Sequence, residues 1–270
     1  MKSLSTTLLA LTLAAAGWAA PASSPRLLIP AAASTDGLAG SHWRTDLVVH
    51  NPSAVPAEVV LELIPSGFAG GLADPQSATL PELLGPMETV IVEDVLGTYF
   101  PDHATGALVV TGYNPSQEVE LAAASRTWTP APDGIGTRGQ GIGGIPWRGG
   151  DLMDTEKVLV GLESSDAFRT NLGLVNPTSE YIETFQVEIL DSTGATAGIV
   201  WYTLQPRAHF QRNDILRSLG LTGSGYTAKV SLAAWQEIAP KAADGPPPPQ
   251  VDFAAYASRV DNSSNDPAYV

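Results

Sequence analysis

The stretch Trp43-Arg44-Thr45-Asp46-Leu47-Val48-Val49-His50-Asn51-Pro52 returns as Phe168-Arg169-Thr170-Asn171-Leu172-Gly173-Leu174-Val175-Asn176-Pro177. An aromatic residue, Arg, Thr, Asp or Asn, and Leu follow in the same order, and both copies close on Asn-Pro. The copies lie 125 residues apart. That is far beyond a solenoid or propeller period, so each copy belongs to its own domain-sized unit. The pattern implies a tandem internal duplication.

Period-two alternation makes the stretch a strand. Thr45, Leu47, Val49 and Asn51 fall on one face, as do Thr170, Leu172, Leu174 and Asn176, while Arg44, Asp46 and His50 fall on the other. On this reading Asp46→Asn is of little consequence, because the second copy already carries Asn171. The Asn-Pro pair ends the strand: proline cannot donate to a ladder, and Asn closes an Asx-type turn. Further short strands separated by Pro, Gly, Asn and Ser run through both halves, with no amphipathic helix of useful length. Two more matches link the halves. Asp94-Val95-Leu96-Gly97 pairs with Asp214-Ile215-Leu216 as an Asp-capped helical turn, and Ala124-Ser125-Arg126 pairs with Ala257-Ser258-Arg259.

The expected fold is all-β: two tandem antiparallel β-sandwiches, immunoglobulin-like in general design, related by internal duplication. The expected division is a signal peptide at 1–22, a first sandwich at 23–128, a Gly/Pro-rich linker at 129–150 and a second sandwich at 151–270. Met1-Lys2, the apolar run from Leu8 to Ala16 and the small residues after it read as a cleavable export signal. That run is too short to span a bilayer and no later stretch is long enough, so the chain is expected to be secreted or held at a cell surface. Without cysteine, each sandwich depends on its own core. The formal charge is −14 and neither half is basic, which argues against nucleic acid or anionic lipid as a partner. Four consecutive prolines mark 239–250 as an exposed stiff loop.

The repeated strand, Glu93-Asp94-Val95-Leu96-Gly97, Ala124-Ser125-Arg126-Thr127 and the ending Tyr256-Ala257-Ser258-Arg259-Val260-Asp261-Asn262-Ser263-Ser264-Asn265-Asp266-Pro267 together resemble a family of secreted bacterial β-domains. These are tandem immunoglobulin-like modules, found alone or at the ends of larger exported proteins. The resemblance implies the fold and the location; no activity is attached to the family, so it supplies no catalytic residues.

Enzymatic signatures are weak. Gly134-Ile135-Gly136-Thr137-Arg138-Gly139 has dinucleotide-type glycine spacing but lacks the flanking strand and helix. His42, His50, His103 and His209 are scattered, and Gly223-Ser224-Gly225 has no nucleophile-elbow context. Glu118 and Glu120 read as a solvated strand face. Asp261 to Asp266 crowds hard oxygens as calcium prefers, making Asp261 and Asp266 the metal candidates, with a hydrogen-bonded turn the favoured reading. No cofactor is expected. The expected function is a non-catalytic interaction or structural module whose partner is an extracellular protein or glycan. Trp128, Arg138 and Trp147 are the candidate binding residues, either meeting a partner or docking on the second sandwich. The alternatives are a carbohydrate-binding module using Trp128, Trp147, Trp201 and Trp235, and a hydrolase with its site at the inter-domain cleft.

Overall fold

A computed structural model of the chain describes residues 22–37, 40–67, 76–101, 104–115, 117–147, 156–238 and 252–269. The expected signal peptide, apart from its last residue, the proline run at 239–250 and His103 lie outside the described residues. In the first half the chain forms β1 (Arg26–Ala33), β2 (Thr35–Asp36), β3 (His42–His50), β4 (Glu58–Pro65), β5 (Gln76–Thr79) and β6 (Thr89–Val92). Then come α1 (Val95–Tyr99), β7 (Thr105–Asn114), β8 (Gln117–Glu118), β9 (Ala122–Pro130), β10 (Thr137–Gly143) and β11 (Ile145–Pro146). The second half has β12 (Glu156–Ser164), β13 (Phe168–Asn176), β14 (Tyr181–Leu190), β15 (Thr196–Leu204) and β16 (Ala208–Arg212). It ends with α2 (Ile215–Ser218), β17 (Gly223–Glu237), β18 (Ala254–Asp261) and β19 (Pro267–Tyr269).

Sheet one has the order β11-β1-β7-β4-β5 with β8 beside β7, and sheet two the order β10-β9-β3-β2 with β6 also on β3. Sheet three runs β16-β13-β18-β19 and sheet four β12-β17-β14-β15. Sheets one and two enclose Leu27, Ile29, Leu47, Leu61, Leu108 and Val110. Sheets three and four enclose Leu172, Leu174, Phe185, Val187 and Val230. The chain is therefore all-β, built as antiparallel sandwiches. Its order departs from a constant immunoglobulin domain in one respect: the first strand of each half lies beside β7 or β17, and the late strand β9 or β18 lies beside β3 or β13.

The order β1-β7-β4-β5 in the first half recurs as β12-β17-β14-β15, and β6-β3-β9-β10 recurs as β16-β13-β18-β19. Side-chain pegs recur with it. Thr45 Oγ1 accepts from Ala33 N at 2.8 Å and donates to Ala33 O at 2.9 Å. Thr170 Oγ1 makes the same two bonds to Glu163, at 2.9 and 2.8 Å. These hydroxyls pin the repeated strand to the facing sheet and meet the polar needs of a position with no exposure. Buried Asn51 Nδ2 donates to Val55 O and Leu84 O at 2.8 and 3.0 Å, and Asn176 Nδ2 to Tyr181 O and Gln205 O at 2.8 and 3.1 Å. Asp94 and Asp214, both left-handed, cap α1 and α2. The Ala-Ser-Arg match is out of register by one residue. Ser125 lies opposite Leu47 on the core face, whereas Ser258 lies opposite Asn171 on the outer face.

Sheet one is covered on both sides. Leu28, Ile64, Ala107 and Val109 point away from the first core and meet Val175, Ala254 and Trp147 in a third apolar cluster. This explains the unbroken run Ala107-Leu108-Val109-Val110, since a sheet covered on both faces needs apolar residues at consecutive positions. The layers stack in the order two, one, three, four. The segment 129–150, expected as a linker, is largely structure of the first sandwich: β10 pairs with β9 and β11 with β1, so its first sheet pairings extend to residue 146. Glycines that resembled flexible chain are the small residues of an edge hairpin.

Candidate functional site

Along the outer face of sheet three, chemistry changes with position. On β13, Val175 is followed outward by Gly173, Asn171 and Arg169, and on β18 Ala254 is followed by Tyr256 and Ser258. The apolar end of this face is sealed against sheet one. The polar end is not, and there a cleft of about 410 Å3 opens between the sandwiches, within the size range of small-molecule sites. Trp43, Ser66 and Gln140 come from the first sandwich, and Arg169, His209 and Asn213 from the second.

A directed hydrogen-bond chain lines one wall. Tyr256 Oη donates to Gln211 Oε1 at 2.9 Å, so His209 Nε2, 2.9 Å from the same hydroxyl, is its donor. His209 Nδ1 is then the acceptor for Ser66 Oγ at 2.8 Å, and Gln211 Nε2 passes the chain to Asn213 Oδ1 at 2.9 Å. Burial pushes the His209 imidazole down to about 4, which fits a neutral ring with one donor and one acceptor. Burial raises Tyr256 far above the ordinary phenol range and pushes Tyr269 up to about 12. The ring of Tyr256 stacks between His209 and Tyr269 and lies over Gly173, where a Cβ would overlap it. Gly67 N donates to His209 O at 2.7 Å, which closes the wall across the sandwich boundary.

Arg169 donates from Nη1 to Asn262 Oδ1 at 2.9 Å and from Nη2 to Asn265 Oδ1 at 3.1 Å. Ser258 Oγ donates to Gln140 Oε1 at 2.8 Å, and Asp214 N donates to Asn171 Oδ1 at 3.1 Å.

The candidates from sequence are used internally. Trp147 is only 8% exposed; its Nε1 donates to Asp252 Oδ2 at 3.1 Å and the Arg26 guanidinium covers its ring. It docks on the second sandwich and is not open to an outside partner. Trp128 stays within the first sandwich, donating from Nε1 to Asp46 Oδ2 at 2.6 Å beneath Arg44. Arg138 donates to Ser264 O across the boundary. Asp261 Oδ1 accepts from Ser263 N, Ser263 Oγ and Ser264 N, which hold its carboxyl down at about 2. Asp266 Oδ1 instead accepts from Gly139 N at 2.9 Å. The two metal candidates thus serve a turn and a domain contact, and no group of three or more potential His, Cys, Asp or Glu ligands occurs among the described residues. Gly134 to Gly139 lies in the hairpin from β9 to β10, with a strand after it where a dinucleotide site needs a helix. Of the four candidate stacking tryptophans, Trp201 and Trp235 are open, at 55% and 46% exposure.

Ser66, His209 and Tyr256 had no common signal in sequence. They come from β-segments of different halves, and Gly173 in place of Val48 was the single trace of the seated tyrosine ring. A comparison with protein-family models and with curated proteins returns no match. No helix among the described residues is long and apolar enough to cross a membrane.

Proposed function

We propose that this chain is a non-catalytic, exported interaction module whose two sandwiches arose by duplication and work as one rigid body. The observation that carries the reading is the third apolar cluster, in which Trp147 is sealed between Arg26 and the second sandwich. An ion pair between Arg207 and Glu62 and the bond from Arg138 to Ser264 O brace the same boundary. Such bracing presents a fixed surface and leaves little hinge for a closing active site. The pair of Ser66 and His209 is poorly suited to catalysis, because His209 is a weak, buried base oriented by a neutral tyrosine rather than a carboxylate. Export is supported by the charged start and short apolar run of residues 1–22.

The test is retention of the mature chain on isolated envelope material together with a hydrolase screen. Retention without turnover supports the module. Turnover of an ester or glycoside that is lost in Ser66→Ala transfers the assignment to the hydrolase reading.

A further inference from the structure

The side-chain amide oxygens that line the cleft between the sandwiches are already spent, and the lining carboxylate, Asp36, has His42 Nδ1 2.9 Å from its Oδ1. Asn171 Oδ1 accepts from the Asp214 amide, Asn213 Oδ1 from Gln211, Gln211 Oε1 from Tyr256 and Gln140 Oε1 from Ser258. The Asp214 bond fixes the Asn171 amide unambiguously, because a backbone N–H requires an oxygen opposite it. The side-chain amino groups of Asn171, Asn213 and Gln140 remain as donors. Arg169 adds a guanidinium whose two side-chain acceptors, Asn262 and Asn265, are both neutral, so its charge is held in place without being cancelled. In a chain of net charge −14, an arginine held in a cleft by amides is suited to a ligand carboxylate rather than to an internal one.

From this excess of donors we infer that the cleft is a binding site for a short acidic saccharide, a uronic acid unit. Its carboxylate pairs with Arg169, its ring and hydroxyl oxygens accept from the three amino groups, and its apolar face lies against the Trp43 ring at the opposite wall. The cavity of about 410 Å3 accommodates one or two sugar rings. Neutral sugars lack the group that Arg169 selects, and simple anions lack the oxygens that would engage the remaining donors.

The inference deepens the module reading, and titration calorimetry on the whole chain tests it with galacturonate, digalacturonate, galactose, acetate and phosphate as probes. Saturable uronate binding, with galactose at least about tenfold weaker, is expected from the loss of one charge-assisted contact. Arg169→Gln keeps a donor for Asn262 or Asn265 and is expected to weaken uronate binding by about tenfold while melting near the wild type. Asn213→Ala, at an exposed position outside both cores, provides a second variant whose folding is not at stake. The inference is overturned if neither uronate binds, if acetate or phosphate binds as tightly, or if both variants bind like the wild type. Absent uronate binding with envelope retention intact removes the ligand and leaves the module; turnover of the saccharide removes the module and leaves the site.

Discussion

His209 and Glu183 pull the stability of this protein in opposite directions with pH. His209 is depressed to about 4 by burial, so its contribution is complete above the free imidazole value and is lost as pH falls from about 6.5 towards 4, at a cost of about 3 kcal/mol. Glu183 has no exposure, neither carboxyl oxygen has a hydrogen-bond partner, and burial first and Asp252 second raise it well above its ordinary value. A raised carboxyl contributes fully below its unfolded value, and that contribution is lost as pH rises through the folded one. Glu183→Met removes an unpaired buried group and should stabilise the fold by about 1–3 kcal/mol at pH 8. Thermal melts from pH 4 to 9 should show its alkaline decline flattened and the acid decline from His209 kept. Asp46 is a second residue with a definite expectation. The repeat suggested that Asn would serve, but Asp46 holds both Asp94 N and Trp128 Nε1, while Val260, opposite Arg169, has no indole to donate. Asp46→Asn should therefore cost about 1.5–3 kcal/mol in urea unfolding, the range for hydrogen bonds to a charged group.

Among the elements, β13 does the most varied work. Its inner face repeats that of β3 through Thr170, Leu172, Leu174 and Asn176, all without exposure, while its outer face becomes an interface. Val48 on β3 faces outward and is 37% exposed; at the matching position Gly173 makes room for the Tyr256 ring. Gly173→Ala should displace that ring and cost about 1–3 kcal/mol by overpacking, whereas Val48→Ala should be nearly silent. Equal losses in the two variants would mean that the tyrosine is not seated on β13. The strand β10 shows the same economy. Its glycines pair with β9, and its Arg138 and Gly139 fasten the turn before β19, so one edge hairpin serves both sandwiches.

At the scale of the whole molecule, the four stacked sheets share three apolar layers, which couples the unfolding of the halves. Wild-type calorimetry should give one transition. Trp147→Ala removes the largest side chain of the middle layer at a cost of about 3–5 kcal/mol. It should split the melt into two transitions and raise the radius of gyration in solution scattering. A single unchanged transition with an unchanged radius would show that the sandwiches are coupled by something other than this cluster.

Period-two alternation, Asn-Pro stops and Asp-capped turns are local properties, governed by backbone geometry within a few residues. That is why the all-β class, the inner face of β3 and β13 and both helical turns were legible in the chain itself. Register between strands is not local. The Ala-Ser-Arg match slipped by one residue because only the pairing of β9 with β3, and of β18 with β13, decides which face a serine takes. Nor does composition distinguish a linker from an edge strand, since glycine meets the needs of both. The docking of sheet one on sheet three, and the cleft where Ser66 meets His209 across 143 positions, depend on long-range burial. Only the tertiary structure decided them, because each half alone satisfies the same sequence pattern whether or not the other is packed against it.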